Sequence, residues 1–168
     1  MTSTNRSEFY HVSYGEKDLA NTDLYKNTMV ATNSLSPNQS LGAEINTPFD
    51  ENYPYISKDG KTLYFSSKGH NSMGGYDIYK CTRIDSLSAW SRPVNMGYPI
   101  SSVYDDVMYV PDLQNQTASY CSNRKNNSFD YIQIKLPQHP SANSFIKGRF
   151  STNDSIPKRD ANITVYNS

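Results

Sequence analysis

The chain has 168 residues, with 16 Lys or Arg against 16 Asp or Glu, and 36% of it is hydrophobic, including 14 tyrosines. That length suits one domain, or one and a piece of another. The balanced charge gives no electrostatic footprint for nucleic acid or anionic lipid, and no apolar run approaches the about 20 residues that carry a helix across a bilayer, so membrane insertion is not expected.

Residues 1–7 are polar and lack an apolar core of the export-signal kind. They fit either a cytoplasmic protein or a piece whose signal lies upstream. Strand signals follow at residues 8–14 and 22–29, with a weak one near Leu41. A fuller set comes next. Residues 53–57 read as a strand, Lys58, Asp59 and Gly60 as a hairpin turn, and residues 62–67 as a second strand in which Leu63 and Phe65 alternate against Thr62, Tyr64 and Ser66. A polar, Gly-rich loop over 68–75 leads to a strand at 76–82. Beyond Trp90, residues 93–96 suit a short edge strand because proline is tolerated there. Strands are predicted again over 106–110, 117–122 and 129–135. Residues 137–144, with Pro137 and Pro140, read as a linker, and 145–150 and 161–166 as two further strands.

These elements repeat. Gly42 and Gly97, Ile45 and Ile100, and Thr62 and Thr117 are each 55 residues apart, while Asp23, Asp77 and Asp130 follow at 54 and 53. A period of this size marks a repeat architecture. Four short antiparallel strands in about 55 residues make one propeller blade. The expected fold is all-β: a partial propeller over residues 8–136, with one complete and two incomplete blades, then the first strands of a β-sandwich over 145–168. Leu63 and Phe65 should be core, and the outer faces of the first and third units should expose Phe9, Tyr10, Tyr120 and Ile132.

The candidate sites are weighed against this repetition, because residues that recur at one blade position are usually scaffold. Asp23, Asp77 and Asp130, on the third strand of each unit, fit buried acceptors of turn N–H groups; calcium would need six to eight converging oxygens. Asp59, Gly60 and Gly97 are turn positions. Asp50 with Glu51 and Asp105 with Asp106 should stand near one mouth of the channel, where a carboxylate pair can act as acid and base, although their recurrence favours a scaffold role. His11, His70 and His139 have no Cys or carboxylate at metal-ligand spacing. Ser66 and Ser67 lack a nucleophile elbow, and residues 69–75 lack the ending of a phosphate loop. No catalytic, metal or cofactor set emerges. Tyr53, Tyr55, Tyr104, Tyr109 and Trp90, with Asn-rich loops, offer a possible binding surface for protein or glycan. Cys81 and Cys121 are too few for a disulfide framework and fit either one mutual bridge or two free thiols.

The run Asp59-Gly60-Lys61-Thr62-Leu63-Tyr64-Phe65-Ser66-Ser67, followed by Gly75-Tyr76-Asp77-Ile78-Tyr79, resembles the WD-like β-propeller repeat of the TolB type. With Trp90 to Gly97 added, it is similar to the form found in cell-envelope proteins of the Bacteroidota. Residues 145–166 resemble the opening of the carboxypeptidase-regulatory-like β-sandwich that follows the propeller in such proteins, often ahead of an OmpA-like peptidoglycan-binding domain. The resemblance implies a non-enzymatic scaffold at the periplasmic face of the outer membrane, in some cases tied to type IX secretion. Its partners would be other envelope proteins or peptidoglycan-associated ones. The alternative is a glycan-binding module using Tyr and Asn at the propeller mouth. Three units are fewer than the about four blades of a small closed propeller, and no OmpA-like segment is present, so the chain is expected to belong to a larger protein.

Overall fold

The computed structural model describes residues 8–14, 20–84, 89–125 and 128–136, and the backbone of 145–146 and 163–164. The protein is all-β. Its elements are β1 (Glu8–Tyr14), β2 (Thr22–Ala31), β3 (Ser34–Leu35), β4 (Gln39–Ser40), β5 (Glu51–Ile56), β6 (Thr62–Ser67), β7 (Asp77–Thr82), β8 (Val94–Asn95), β9 (Asp106–Asp112), β10 (Thr117–Lys125), β11 (Ser128–Lys135), β12 (Phe145–Ile146) and β13 (Ile163–Thr164). They divide into two compact units, Met1–Lys135 and Leu136–Ser168. In the second, β12 pairs antiparallel with β13. The proposed linker at 137–144, His139, and the rest of the two tail strands lie outside the described residues.

The first unit holds three antiparallel sheets. β1 and β2 form the first, with β3 and β4 added along β2; β5 to β8 form the second in chain order; β9, β10 and β11 form the third. The turn between β5 and β6 follows from its sequence. Gly60 takes the left-handed φ of +69°, and Asp59 Oδ1 accepts from Ser57 Oγ at 2.6 Å and from Lys61 N at 3.0 Å. That side chain fixes the chain reversal locally, as Asx turns do.

The registers repeat as well. Ser13 pairs with Asp23, Ser67 with Asp77 and Ser122 with Asp130. Tyr25 and Lys26 pair with Ser40 and Gln39, as Tyr79 and Lys80 pair with Asn95 and Val94. The 55-residue spacing is therefore carried by strand pairing. Two features depart from plain alternation. In β5, Asn52 pairs with Ser66 and Tyr55 with Tyr64, so Tyr53 and Pro54 together oppose Phe65. In β9, Val107 pairs with Cys121 and Val110 with Ser119, so Met108 and Tyr109 oppose Tyr120. Each is a β-bulge, and Tyr53 and Met108 sit at φ of +54° and +61°.

The core lies between neighbouring sheets. Leu24, Ile45, Leu63, Phe65, Tyr79, Cys81 and Trp90 form one cluster, with Tyr10, Val12, Leu41 and Ile56 packed against it. The opposite parity of β7 buries Ile78, and Ile100, Val107, Tyr109, Ala118 and Tyr120 are buried in the following segment and third sheet. There the Tyr64 and Tyr109 rings lie 5.0 Å apart. Tyr120 corrects the expectation of an exposed flank. It is 2% exposed, because it alternates with Ala118 and Ser122 on the buried face of β10, and its hydroxyl donates to Pro99 O at 2.9 Å. Tyr10 and Ile132 are half-buried, and Phe9 is exposed. Both cysteines are free thiols; burial pushes Cys81 up to about 12.

Candidate interaction surface

Two segments, residues 42–51 and 97–106, carry the chain from one sheet to the first strand of the next, and they make the same bonds. Gly42 and Gly97 have φ of +84° and +64°. Gly42 O accepts from the N–H groups of Ile45 and Asn46 at 3.0 and 2.9 Å, and Gly97 O from those of Ile100 and Ser101 at 2.9 and 2.8 Å. Asn46 then clasps Leu24, accepting its N–H at 2.9 Å and donating to its carbonyl at 3.0 Å. Ser101 does the same to Ile78 with one hydroxyl, at 3.1 and 3.3 Å. Asp50 Oδ1 accepts Thr22 N at 3.2 Å, and Asp105 Oδ1 accepts Tyr76 N at 2.9 Å. The other oxygen of each takes a side chain at or just past the second strand of its own sheet, Lys68 Nζ at 2.8 Å and Asn123 Nδ2 at 3.0 Å.

The following carboxylates are fully buried. Glu51 accepts from Thr47 N, Thr47 Oγ1 and Ser67 Oγ at 2.8, 2.7 and 2.6 Å. Asp106 is one methylene shorter. It takes Ser102 Oγ at 2.7 Å on one oxygen and the Arg124 guanidinium on the other, at 2.8 and 3.1 Å. Gly69 occupies the place of Arg124 one unit earlier, and a Cβ there would lie 2.1 Å from Thr47 Oγ1. The longer acid thus goes with the absent side chain, and the shorter acid with the long cation. Every oxygen of Asp50, Glu51, Asp105 and Asp106 holds a structural donor, an arrangement that pins backbone between sheets.

Asp50 and Glu51 are adjacent yet shifted in opposite directions. The Lys68 hydrogen bond holds Asp50 below its ordinary 3.8, whereas burial holds Glu51 above 4.5 despite its donors. A raised folded-state value means that Glu51 favours the fold below about 4.5, and this contribution is lost as pH rises through the folded value. Asp50 contributes above 3.8 and loses that as pH falls through its lowered value. Urea midpoints at pH 4 and pH 7 should therefore shift toward Glu51→Gln relative to the parent as pH rises, and away from Asp50→Asn. Differences that ignore pH would contradict both assignments.

The third-strand aspartates diverge. Asp77 is buried and accepts from Met73 N–H and, at 2.9 Å, from Asn95 Nδ2. Asp23 is half-buried. Asp130 is exposed, against the expectation of a buried acceptor. Lys125 already pairs with Ser128, so β11 begins right after β10, whereas nine residues separate Ser67 from Asp77 in the preceding sheet.

The aromatic candidates also separate. Trp90 and Tyr109, expected in a binding surface, are core residues at 9% and 3% exposure. The Arg83 guanidinium lies 4.9 Å from the Trp90 ring, with Tyr10 edge-on at 6.2 Å, and burial pushes Tyr109 up to about 12. Tyr53 and Tyr104 are exposed, and Tyr55 is half-buried. Their repeat partners complete a pattern that the sequence reading missed. Phe49 stands 55 residues before Tyr104, and Met108 stands 55 after Tyr53; both are exposed. Beside Tyr53 the Tyr76 ring lies at 6.4 Å, with Lys68 Nζ 4.6 Å above Tyr76. Asn52 donates to both Thr22 Oγ1 and Tyr76 OH. Gly74 and Gly75 permit the tight approach here, since a Cβ would come within 2.3 Å of Val103 backbone and 2.0 Å of Asp105 Oδ1.

Two clefts accompany this surface. One, about 650 Å³, is lined by Thr47, His70, Asn71, Tyr79, Arg92 and Asn95. His70 is held there with Nε2 3.0 Å from Ile45 O and its ring 5.1 Å from that of Tyr79. The other, about 590 Å³, lies between the ends of two hairpins and is lined by Tyr55, Tyr64, Val110, Pro111, Leu113 and Gln114. Among the described residues, no group of three or more His, Cys, Asp or Glu side chains is placed to hold a metal. Compared with known proteins, the chain matches no family model and is significantly similar to no curated protein.

Proposed function

We propose that this chain is a non-enzymatic β-propeller segment of a larger cell-envelope protein, serving as a scaffold for protein–protein or cell-wall contacts. One observation carries the reading: the bonds of residues 42–51 to the first sheet recur in those of residues 97–106 to the second. Radial repetition of four-stranded sheets needs such a reusable junction, and the order β5-β6-β7-β8 suits one complete blade. The junction carboxylates are all engaged in structural bonds, which argues for scaffolding over chemistry. Phe49, Tyr53, Tyr104 and Met108 recur as exposed apolar side chains, and aromatic residues and Met are what protein interfaces favour. The placement at the periplasmic face of the outer membrane, the link to type IX secretion and the sandwich identity of the tail rest on the sequence resemblance.

Photoreactive side chains at Tyr53 and Tyr104 test this in the producing cell. Discrete protein adducts from both positions, absent from Lys58 in the turn after β5, are expected. A second reading, glycan binding, is supported by the cleft where Tyr55 and Tyr64 stand near Gln114, Asp59 and Asp112. Absence of protein adducts, with saccharide binding that Tyr64→Ala abolishes, would overturn the scaffold and support the glycan reading.

A further inference from the structure

The cleft of about 650 Å³ holds charged groups that the repeat does not explain. Glu44, on the connector to the second sheet, stands where the next connector has Pro99, and Arg92, just before β8, stands where the first sheet has Pro37. Side chains that recur from unit to unit are scaffold here, and these two do not recur. Arg92 Nε and Glu44 Oε2 lie 3.5 Å apart, beyond a good N–H to O hydrogen bond. Among the described residues neither side chain makes a hydrogen bond, and neither does the side-chain amide of Asn71, which lines the same cleft. His70 lines it as well, at a φ of +55°, a left-handed conformation uncommon outside glycine. Its Nε2 stands 3.0 Å from Ile45 O; a carbonyl only accepts, so Nε2 carries the hydrogen and Nδ1 is left as an acceptor. One unit on, the matching carbonyl of Ile100 is served by Arg124. The junction can therefore satisfy that carbonyl without an imidazole, and His70 is a third departure from the repeat at one place.

We propose that this cleft binds a zwitterionic α-amino acid. The two charges define the chemistry. A guanidinium takes a carboxylate through two parallel hydrogen bonds, and a carboxylate takes an ammonium. Arg92 and Glu44 offer both within 3.5 Å, and an α-amino acid carries the complementary pair on a single carbon. A lone anion would be repelled by Glu44 and a lone cation by Arg92, whereas the zwitterion is opposed by neither. The volume leaves room for a side chain, and the Asn71 amide, which both donates and accepts, suits a polar one such as that of asparagine. The inference goes beyond the scaffold reading and does not rest on it: absence of adducts at Tyr53 and Tyr104 would leave it standing.

The test follows the NMR signals of the His70 ring and the Asn71 side-chain amide in the full chain as L-asparagine is added. Saturable shifts in the millimolar range are expected. Two blocked forms divide the recognition: the α-amide of L-asparagine lacks the carboxylate, and N-acetyl-L-asparagine lacks the ammonium. Each should bind about tenfold more weakly, as the loss of one charge-assisted contact implies. Arg92→Gln should erase the difference between the acid and its α-amide, and Glu44→Gln the difference between the free and the acetylated amine. Both side chains are largely exposed, so the fold should tolerate either change. Absence of saturable shifts, equal binding by the blocked forms, or unchanged selectivity in either variant overturns the proposal.

Discussion

Phe65→Ala should destabilise the first unit by about 3–5 kcal/mol, the usual cost of truncating a fully buried aromatic. Phe65 is 1% exposed and central to the larger core cluster. Its ring stacks on Tyr79 at 5.9 Å and meets His70 edge-on at 6.1 Å, so both partners would line the void. It also opposes the bulged Tyr53 and Pro54, where the backbone is already committed to an unusual conformation and has little freedom to collapse. The expected readout is a fall in Tm of roughly 10 °C or more, with lower urea midpoint and unchanged slope. A shift near zero would place Phe65 outside the core and invert the face assignment of β6.

Arg124→Ala should be as damaging for a different reason. Asp106 is fully buried, and Arg124 supplies both bonds to one of its oxygens while also donating to Ile100 O at 2.8 Å. Removing one partner of a buried pair leaves an uncompensated charge and typically costs about 3–5 kcal/mol. Adding Asp106→Asn in the same chain should recover part of the loss, because an amide carries no charge into that site. If Arg124→Ala alone were neutral, Asp106 would have to be served by Ser102 alone and the second junction would be over-determined. If Asp106→Asn gave no recovery, the cost would lie in lost packing against Tyr120, whose ring is 5.6 Å from the guanidinium.

Much of the strand pattern was legible in the sequence, because turn chemistry and alternation are local. Thr62–Ser67 and Glu8–Tyr14 have the predicted ends, and β5, β7 and β8 differ by a residue or two. The hairpin through Asn33, at φ +62°, was not foreseen; it extends β2 to Ala31 and adds β3. Face assignments failed where a bulge resets the parity. Tyr53 and Met108 point out while Tyr109 turns in, and no alternation rule yields that without knowing where the extra residue sits. Trp90 was misplaced because its burial is made by Tyr10 on β1, far away in sequence. Asp130 was misread because the repeat in sequence outlasts the repeat in contacts. Of the exposed apolar side chains that recur, Tyr53 and Tyr104 were found by residue type, whereas Phe49 and Met108 needed the 55-residue period applied to those two. The Asp106–Arg124 pair carried no local signal, since the two residues meet only through the β9–β10 pairing.

As a run of repeats, the first unit should present on its end sheets surface that a neighbouring repeat covers elsewhere. Phe9, Met29, Val30 and Leu35 in the first sheet, and Phe129 and Tyr131 in the third, are exposed, and uncovered apolar faces and strand edges associate. Light scattering on the purified chain across micromolar concentrations tests this most directly. The chain should associate as its concentration rises, and less so when a further 55-residue unit is joined at each flank; a monodisperse monomer at every concentration would rule out open end sheets and favour a self-contained β domain.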